Sequence, residues 1–164
     1  MWPAITAILT LSPLSLTSSM TTMTRPSVAA FLHAHYDTFF EAYGHLIESE
    51  SYVTRRQSLK LLSDILLDRV TPGVRPVMMR FVASPSHLKL IMEQLRDPSE
   101  AIQVEAFHVF KIFAANPTKE PEIVRFLTKN KVKLLNFLSG FQVNSTDDVL
   151  VKDKGYVVSA IRGL

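Results

Sequence analysis

The chain has 164 residues, 47% hydrophobic and 20% charged, a balance that belongs to a folded protein with a sizeable core and not to a disordered tail. Eighteen basic residues against fifteen acidic ones leave a net charge of +3, too even for the concentrated basic stripe that a nucleic-acid backbone selects. There is no cysteine, which excludes a disulfide framework, a thiolate nucleophile and a Cys-ligated zinc site.

Residues 1–30 differ in character from the remainder of the chain. MWPAITAILTLSPLSLTSSMTTMTRPSVAA is apolar, then rich in Ser, Thr and Met, with Arg25 as its single charged side chain. The apolar run from Ala4 to Leu16 falls short of the ~20 residues that span a bilayer, and Pro13 interrupts it. A secretory signal calls for basic residues ahead of the apolar stretch, and none is there. The expectation is a disordered or atypical leader over 1–30 and one domain over 31–164. Asn144-Ser145-Thr146 is a glycosylation sequon that matters only in a secreted chain.

From Phe31 onward the spacing predicts helices separated by short polar breaks. FLHAHYDTFFEAYGHLIES puts Phe31, Leu32, His35, Phe39, Tyr43 and Leu46 at three- and four-residue intervals. In SYVTRRQSLKLLSDILLDR, Leu59, Leu62 and Leu66 share a face. Pro72, Gly73 and Pro76 force a break, and the short apolar segment VMMRFVA comes next. Ser84 then N-caps a helix whose first turn holds Pro85. Ser99 is the candidate cap of SEAIQVEAFHVFKIFAAN, which is apolar almost all round and so predicted to lie between neighbours. Asn116-Pro117 ends it. EPEIVRFLTKN and KVKLLNFLSGF supply two more helices, with Gly140 placed as a C-terminal cap. A last amphipathic piece carries Tyr156, Val157, Ile161 and Leu164.

There is an internal echo. RQSLKLLSDIL at Arg56–Leu66 aligns without gaps with VEAFHVFKIFA at Val104–Ala114, 48 residues further on. That period lies close to the ~40–47 residues of armadillo and HEAT units. With no strand-like alternation and five glycines in all, the fold class expected is all-α, an armadillo/HEAT-like α-solenoid of about three repeats.

Catalytic signatures are missing: no Gly-x-Ser-x-Gly elbow, phosphate-cradling glycine loop, His-Glu-x-x-His or EF-hand loop occurs. His33 and His35 stand two residues apart, about 200° around a helix, and cannot readily grip one metal. His108, inside the apolar helix, reads as a hydrogen-bonded core residue. Asp64, Asp68, Asp97, Glu100 and Glu105 fall at helix ends or outer faces. The chain is therefore expected to be no enzyme and to carry no cofactor or metal.

Interaction chemistry is better represented. Arg56, Lys60, Ser63 and Asp64 occupy one polar arc, away from Leu59, Leu62 and Leu66. Arg56 and Lys60 are i,i+4 neighbours, either a solubilising face in which Lys60 pairs with Asp64 or a landing place for an acidic partner. Lys89 and Met92 lie one turn apart, a cation beside an adaptable apolar side chain, although Met92 equally suits plain core packing. Lys129 and Lys133 repeat the basic i,i+4 spacing. A cation beside an apolar dent on a concave helical wall suits a peptide with an aromatic anchor and a carboxylate.

HYDTFFEAYGHLIESESYVTRRQSLKLLSDILLDR, LKLIMEQLRD and QVEAFHVFKIFAANP resemble the calcium-binding-protein-39 scaffold family, called HymA in fungi. The resemblance runs from Phe31 to about Leu164, where STDDVLVKDKGYVVSAIRGL is similar to the family's acidic turn and final helix, and it covers the C-terminal half of the longer family members. The loop holding Pro72, Gly73 and Pro76 is longer than the family's. The resemblance implies a non-catalytic armadillo-like scaffold. It would bind the pseudokinase STRAD or a germinal-centre-type kinase, promote the active conformation, and in fungi serve polarity, cell separation and conidiation. By match to the family's motifs, Arg56 and Lys60 fall on its kinase-contact positions. Lys89, Met92, Lys129 and Lys133 fall around its pocket for a C-terminal Trp-Glu-Phe peptide. Neither nucleic acid nor membrane is expected as a partner, and the chain is expected to be cytoplasmic and, without its partner, monomeric. The alternative is an armadillo-type adaptor for peptide cargo or nucleic acid that activates no kinase.

Overall fold

The computed structural model describes residues 21–68, 70–143 and 145–164, with side chains from Ser27 onward. Residues 1–20 of the expected leader and Asn144 of the sequon lie outside the described residues. Among the described residues all regular structure is helical, beginning with α1 (Thr21–Ala34), α2 (Tyr36–Ile47) and α3 (Tyr52–Leu66). α1 thus starts ahead of Phe31 and buries Ala29 and Leu32.

Hydrophobic spacing predicts one helix where the structure has α1 and α2. His35, at φ −118° and ψ 29°, leaves the helical region while its N–H still reaches the Phe31 carbonyl at 2.9 Å. The kink turns His35 outward, and lets both Leu32 ahead of it and the Tyr36–Phe40 ring pair behind it reach the core. α3 starts where the extended Ser51 accepts a hydrogen bond from the Thr54 N–H. The polar arc read from the sequence includes Ser63, but this residue is buried, and its hydroxyl donates to the Lys60 carbonyl at 2.9 Å.

A tight turn leads to α4 (Val74–Val82). Asp68 accepts from the N–H groups of Val70 and Thr71 and from the Thr71 hydroxyl, and Gly73 closes the turn at φ 89°. A side chain there would be strained, and its Cβ would stand 3.4 Å from the Cβ of Ala29 on α1. α5 (Pro85–Gln94) begins as predicted, with Ser84 as N-cap and Pro85 in the first turn. Ser99 occupies the N-cap position of α6 (Glu100–Ala115) without a side-chain cap bond. Asp97 organises that corner instead, accepting from the Ser99 N–H while its carbonyl accepts from the Gln103 amide.

α7 (Pro121–Lys129), α8 (Lys131–Gly140) and α9 (Asp148–Arg162) complete the chain. Gly140 ends α8 inside the helix and not as a left-handed cap; that conformation falls on Gln142, φ 48°. Asp147 caps α9 by accepting from the N–H groups of Val149 and Leu150.

Packing follows a three-helix period. α6 lies against α3 on one side, α9 on another and α5 on a third, while α3 packs on α2 and α9 on α8. The last helices of the three trios, α3, α6 and α9, therefore adjoin in that order. Contact on three sides is why α6 is apolar nearly all round: Ile102, Phe107, Val109, Phe110 and Phe113 are fully buried. Phe113 meets Phe81 of α4 at 5.7 Å between ring centroids, and Phe107 meets Phe141 at 5.0 Å. Replacing Phe113 with Ala should cost about 3–5 kcal/mol in urea unfolding, with the denaturant slope unchanged if the array still melts as one unit.

Candidate functional site

The two tandem arginines of α3 separate. Arg55 turns inward, its guanidinium 3.1 Å from the Asp97 carboxylate, which is 7% exposed and already accepts the Ser99 N–H. This pair fastens α3 to the α5–α6 corner. Arg56 turns outward, 49% exposed, with Glu105 of α6 at 3.8 Å. Lys60 is exposed one turn along. The sequence places Arg56 and Lys60 on one face, and the structure keeps them there.

Neither cation stands alone. Burial pushes the Glu105 carboxyl above its ordinary range, with Arg56 and Lys60 pulling it back and Asp64 adding to the rise. Asp64 is likewise raised by burial and held down by Lys60 and His108. Burial lowers the His108 imidazole, Lys111 lowers it further, and Asp153, Asp147 and Asp64 oppose both. His108, expected in the core, is therefore half-buried in a charged seam between α3 and α9. Across that seam the Lys111 ammonium of α6 donates to the Asp153 carboxylate of α9. A mixed-charge strip thus runs from Arg56 and Lys60 over Glu105 and His108 to Asp153. Glu105 did appear in the sequence as an outer-face carboxylate, but its place beside Arg56 depends on how α3 and α6 dock, and no local pattern encodes that. The pair is uneven, Arg56 half-exposed and Glu105 only 14% exposed, and at 3.8 Å it is a long contact.

The second set lies elsewhere. Lys89 is exposed on α5, 3.9 Å from Glu93, and Met92 is half-buried against the core. α5 borders α7, and α7 leads into α8 through the corner carrying Lys129 and Lys133. Those two lysines do not share a helix. Asn130, at φ −102° and ψ 5°, ends α7 after Lys129 and opens α8, and its side-chain amide donates to the Phe126 carbonyl. They flank a corner, both exposed, where the sequence suggested an i,i+4 pair.

His33 and His35 are both exposed, and no group of three or more His, Asp or Glu among the described residues is placed to hold a metal ion. No helix among them is long and apolar enough to cross a membrane. The described residues thus define an all-α protein whose chemistry lies in mixed-charge helix faces.

The sequence profile described as Mo25-like matches residues 7–164, and the chain belongs to that family. It is 51% identical over 138 residues to a human protein named calcium-binding protein 39-like, covering 84% of this chain and 40% of that one. It is 47% identical over 141 residues to the Mo25-like protein of Schizosaccharomyces pombe, covering 85% and 42%. With the conidiophore development protein hymA of Emericella nidulans it shares 46% identity over 136 residues, 82% and 35% of the two chains. The chain spans about two fifths of the length of the curated relatives it matches.

Glu105 gives the strip a pH signature. Its pKa is higher folded than unfolded, so its contribution is fully present below the ordinary carboxylate pKa and is lost as pH rises through the folded value. As pH rises from the ordinary carboxylate range, the unfolding free energy of Glu105→Gln should fall less, or rise more, than that of the unsubstituted chain, as read by urea titrations at a series of pH values.

Proposed function

We propose that this chain is a non-catalytic, cytoplasmic scaffold that docks a protein kinase or pseudokinase, STRAD-like or germinal-centre-type, and promotes its active conformation. The observation that carries this reading is the pair of exposed cations one turn apart, Arg56 and Lys60, on a helix that packs against α6, itself packed against α9, in a Mo25-like chain. Three helix trios whose last members adjoin support an armadillo-like α-solenoid, with α3, α6 and α9 as its inner wall. Rigid stacked helices hold the cations at fixed spacing, so a kinase lobe that meets them is selected in one orientation.

The Lys89, Met92, Lys129 and Lys133 face is the proposed seat of the partner's C-terminal aromatic peptide. A half-buried thioether offers soft apolar contact, and the lysines offer charge to the terminal carboxylate. The hymA relative is named for conidiophore development, which supports the conidiation part of a proposed role in fungal polarity, cell separation and conidiation signalling. A nucleic-acid adaptor is disfavoured because Arg55, Arg56, Lys89 and Lys111 each sit against a carboxylate. Without its partner the chain is monomeric in this reading.

Reversing Arg56 and Lys60 to Glu should abolish stimulation of a partner kinase in a reconstituted phosphorylation assay and leave the helical circular-dichroism signal unchanged. Undiminished stimulation would reject the assignment. For the second face, Lys89→Glu combined with Met92→Ala should weaken a fluorescent peptide ending in Trp-Glu-Phe by about tenfold or more in anisotropy titrations. An unchanged affinity would move the peptide elsewhere.

A further inference from the structure

One cavity touches the charged strip only at its Lys111–Asp153 end and otherwise lies apart from both faces described above. It is a cleft of about 900 Å³ bounded by the C-terminal ends of α3 and α6, by α4, and by the second half of α9. No residue of α5, α7 or α8 lines it, so it is separate from Lys89, Met92, Lys129 and Lys133. We propose that this cleft is a second docking site, for an extended acidic segment of a partner protein that inserts one bulky apolar side chain and sets a carboxylate on Arg75.

Three observations converge on that occupant. First, the floor is apolar, built from Leu66, Met78, Val82, Ile112 and Val157, and its volume accommodates a few side chains. Second, the apolar surface continues out of the cleft onto the rim. Met79 of α4 is 38% exposed and Tyr156 of α9 is 63% exposed, an arrangement a protein segment covers and a small enclosed ligand does not. Two adjacent thioethers adapt to whichever apolar side chain enters. Third, the charge of the lining is unevenly satisfied. Lys111 is held by Asp153, and Asp68 is occupied by the Val70 and Thr71 N–H groups. Arg75, exposed on the rim, forms no ion pair among the described residues. A free guanidinium beside an apolar hole selects an anionic group next to an apolar anchor, and bidentate geometry favours a carboxylate. The edge is firm: Asn116 and Thr118 satisfy each other through two hydrogen bonds, and the Lys119 ammonium donates to the Asn116 carbonyl. The site is therefore largely preformed.

The test uses the full chain and fluorescein-labelled heptapeptides Gly-Ser-X-Asp-Glu-Ser-Gly, with X as Leu, Phe, Met or, in the control, Gly. Saturable anisotropy is expected for at least one apolar X and not for Gly. That binding should weaken by about fivefold or more in Arg75→Glu and on replacing the peptide's Asp-Glu by Asn-Gln. It should also weaken in Ala115→Trp, which fills the cleft from an exposed position. Lys89→Glu should leave it unchanged. If Ala115→Trp lowers the thermal midpoint, Arg75→Glu together with the Asn-Gln peptide decides the matter. The proposal is overturned if no apolar X binds more tightly than Gly, or if binding survives Arg75→Glu. It is equally overturned if binding is lost in Lys89→Glu, which would place the peptide on the other face.

Discussion

The arrangement depends on a constraint at α6. A helix packed on three sides leaves one side open to polar residues, and past the first turn of α6 that side carries Glu105, His108 and Lys111. Steps of three residues turn each successive side chain back by about 60°, so the three span about 120° of the helix circumference. Past the first turn, which holds Glu100 and Gln103, the rest of the helix is apolar or small, as Ile102, Ala106, Phe107, Val109, Phe110, Phe113 and Ala114 are. The location of charge on this wall is thus a consequence of burial: it stands where α3, α5 and α9 leave an opening.

The same geometry sets the electrostatics. Strips on neighbouring helices are brought edge to edge, so ionisable groups distant in sequence feel one another through a half-buried, low-dielectric layer. Desolvation raises Glu105 and Asp64 and lowers His108, and in each case opposite charges on an adjoining helix offset part of the shift. A surface that covers the strip deepens the desolvation and must supply matching charges, which favours shape-fixed, charge-complementary partners over diffuse polyanions.

What the sequence made legible was what depends on near neighbours along the chain. Leu59, Leu62 and Leu66 on one face, the Ser84 cap, and the all-round apolar character of α6 are local patterns, and each corresponds to a feature of the structure. The 48-residue echo between α3 and α6 is the same packing role written twice. What escaped depends on docking or on a single backbone angle. Periodicity runs straight through His35, because Leu32 before the kink and Tyr36, Phe39, Phe40 and Tyr43 after it are all buried at helical spacing. Asn130 likewise breaks what reads as one basic run. Arg55 and Arg56 are chemically identical in sequence; Asp97, distant along the chain but adjacent in the fold, decides which turns inward. The cleft residues Arg75 and Met78 gave no signal, because an opening between four helices has no sequence period.

The turn between α3 and α4 ties these levels together. Asp68 fixes its start, Gly73 its end, and the near contact of Gly73 with Ala29 seats α1 against α4. That seating positions Arg75 and Met78 over the C-terminal end of α6, while the N-terminal half of α6 faces Arg56 through Glu105. One buried helix therefore carries a charged strip along α3 and an apolar cleft beside its own C-terminal turn.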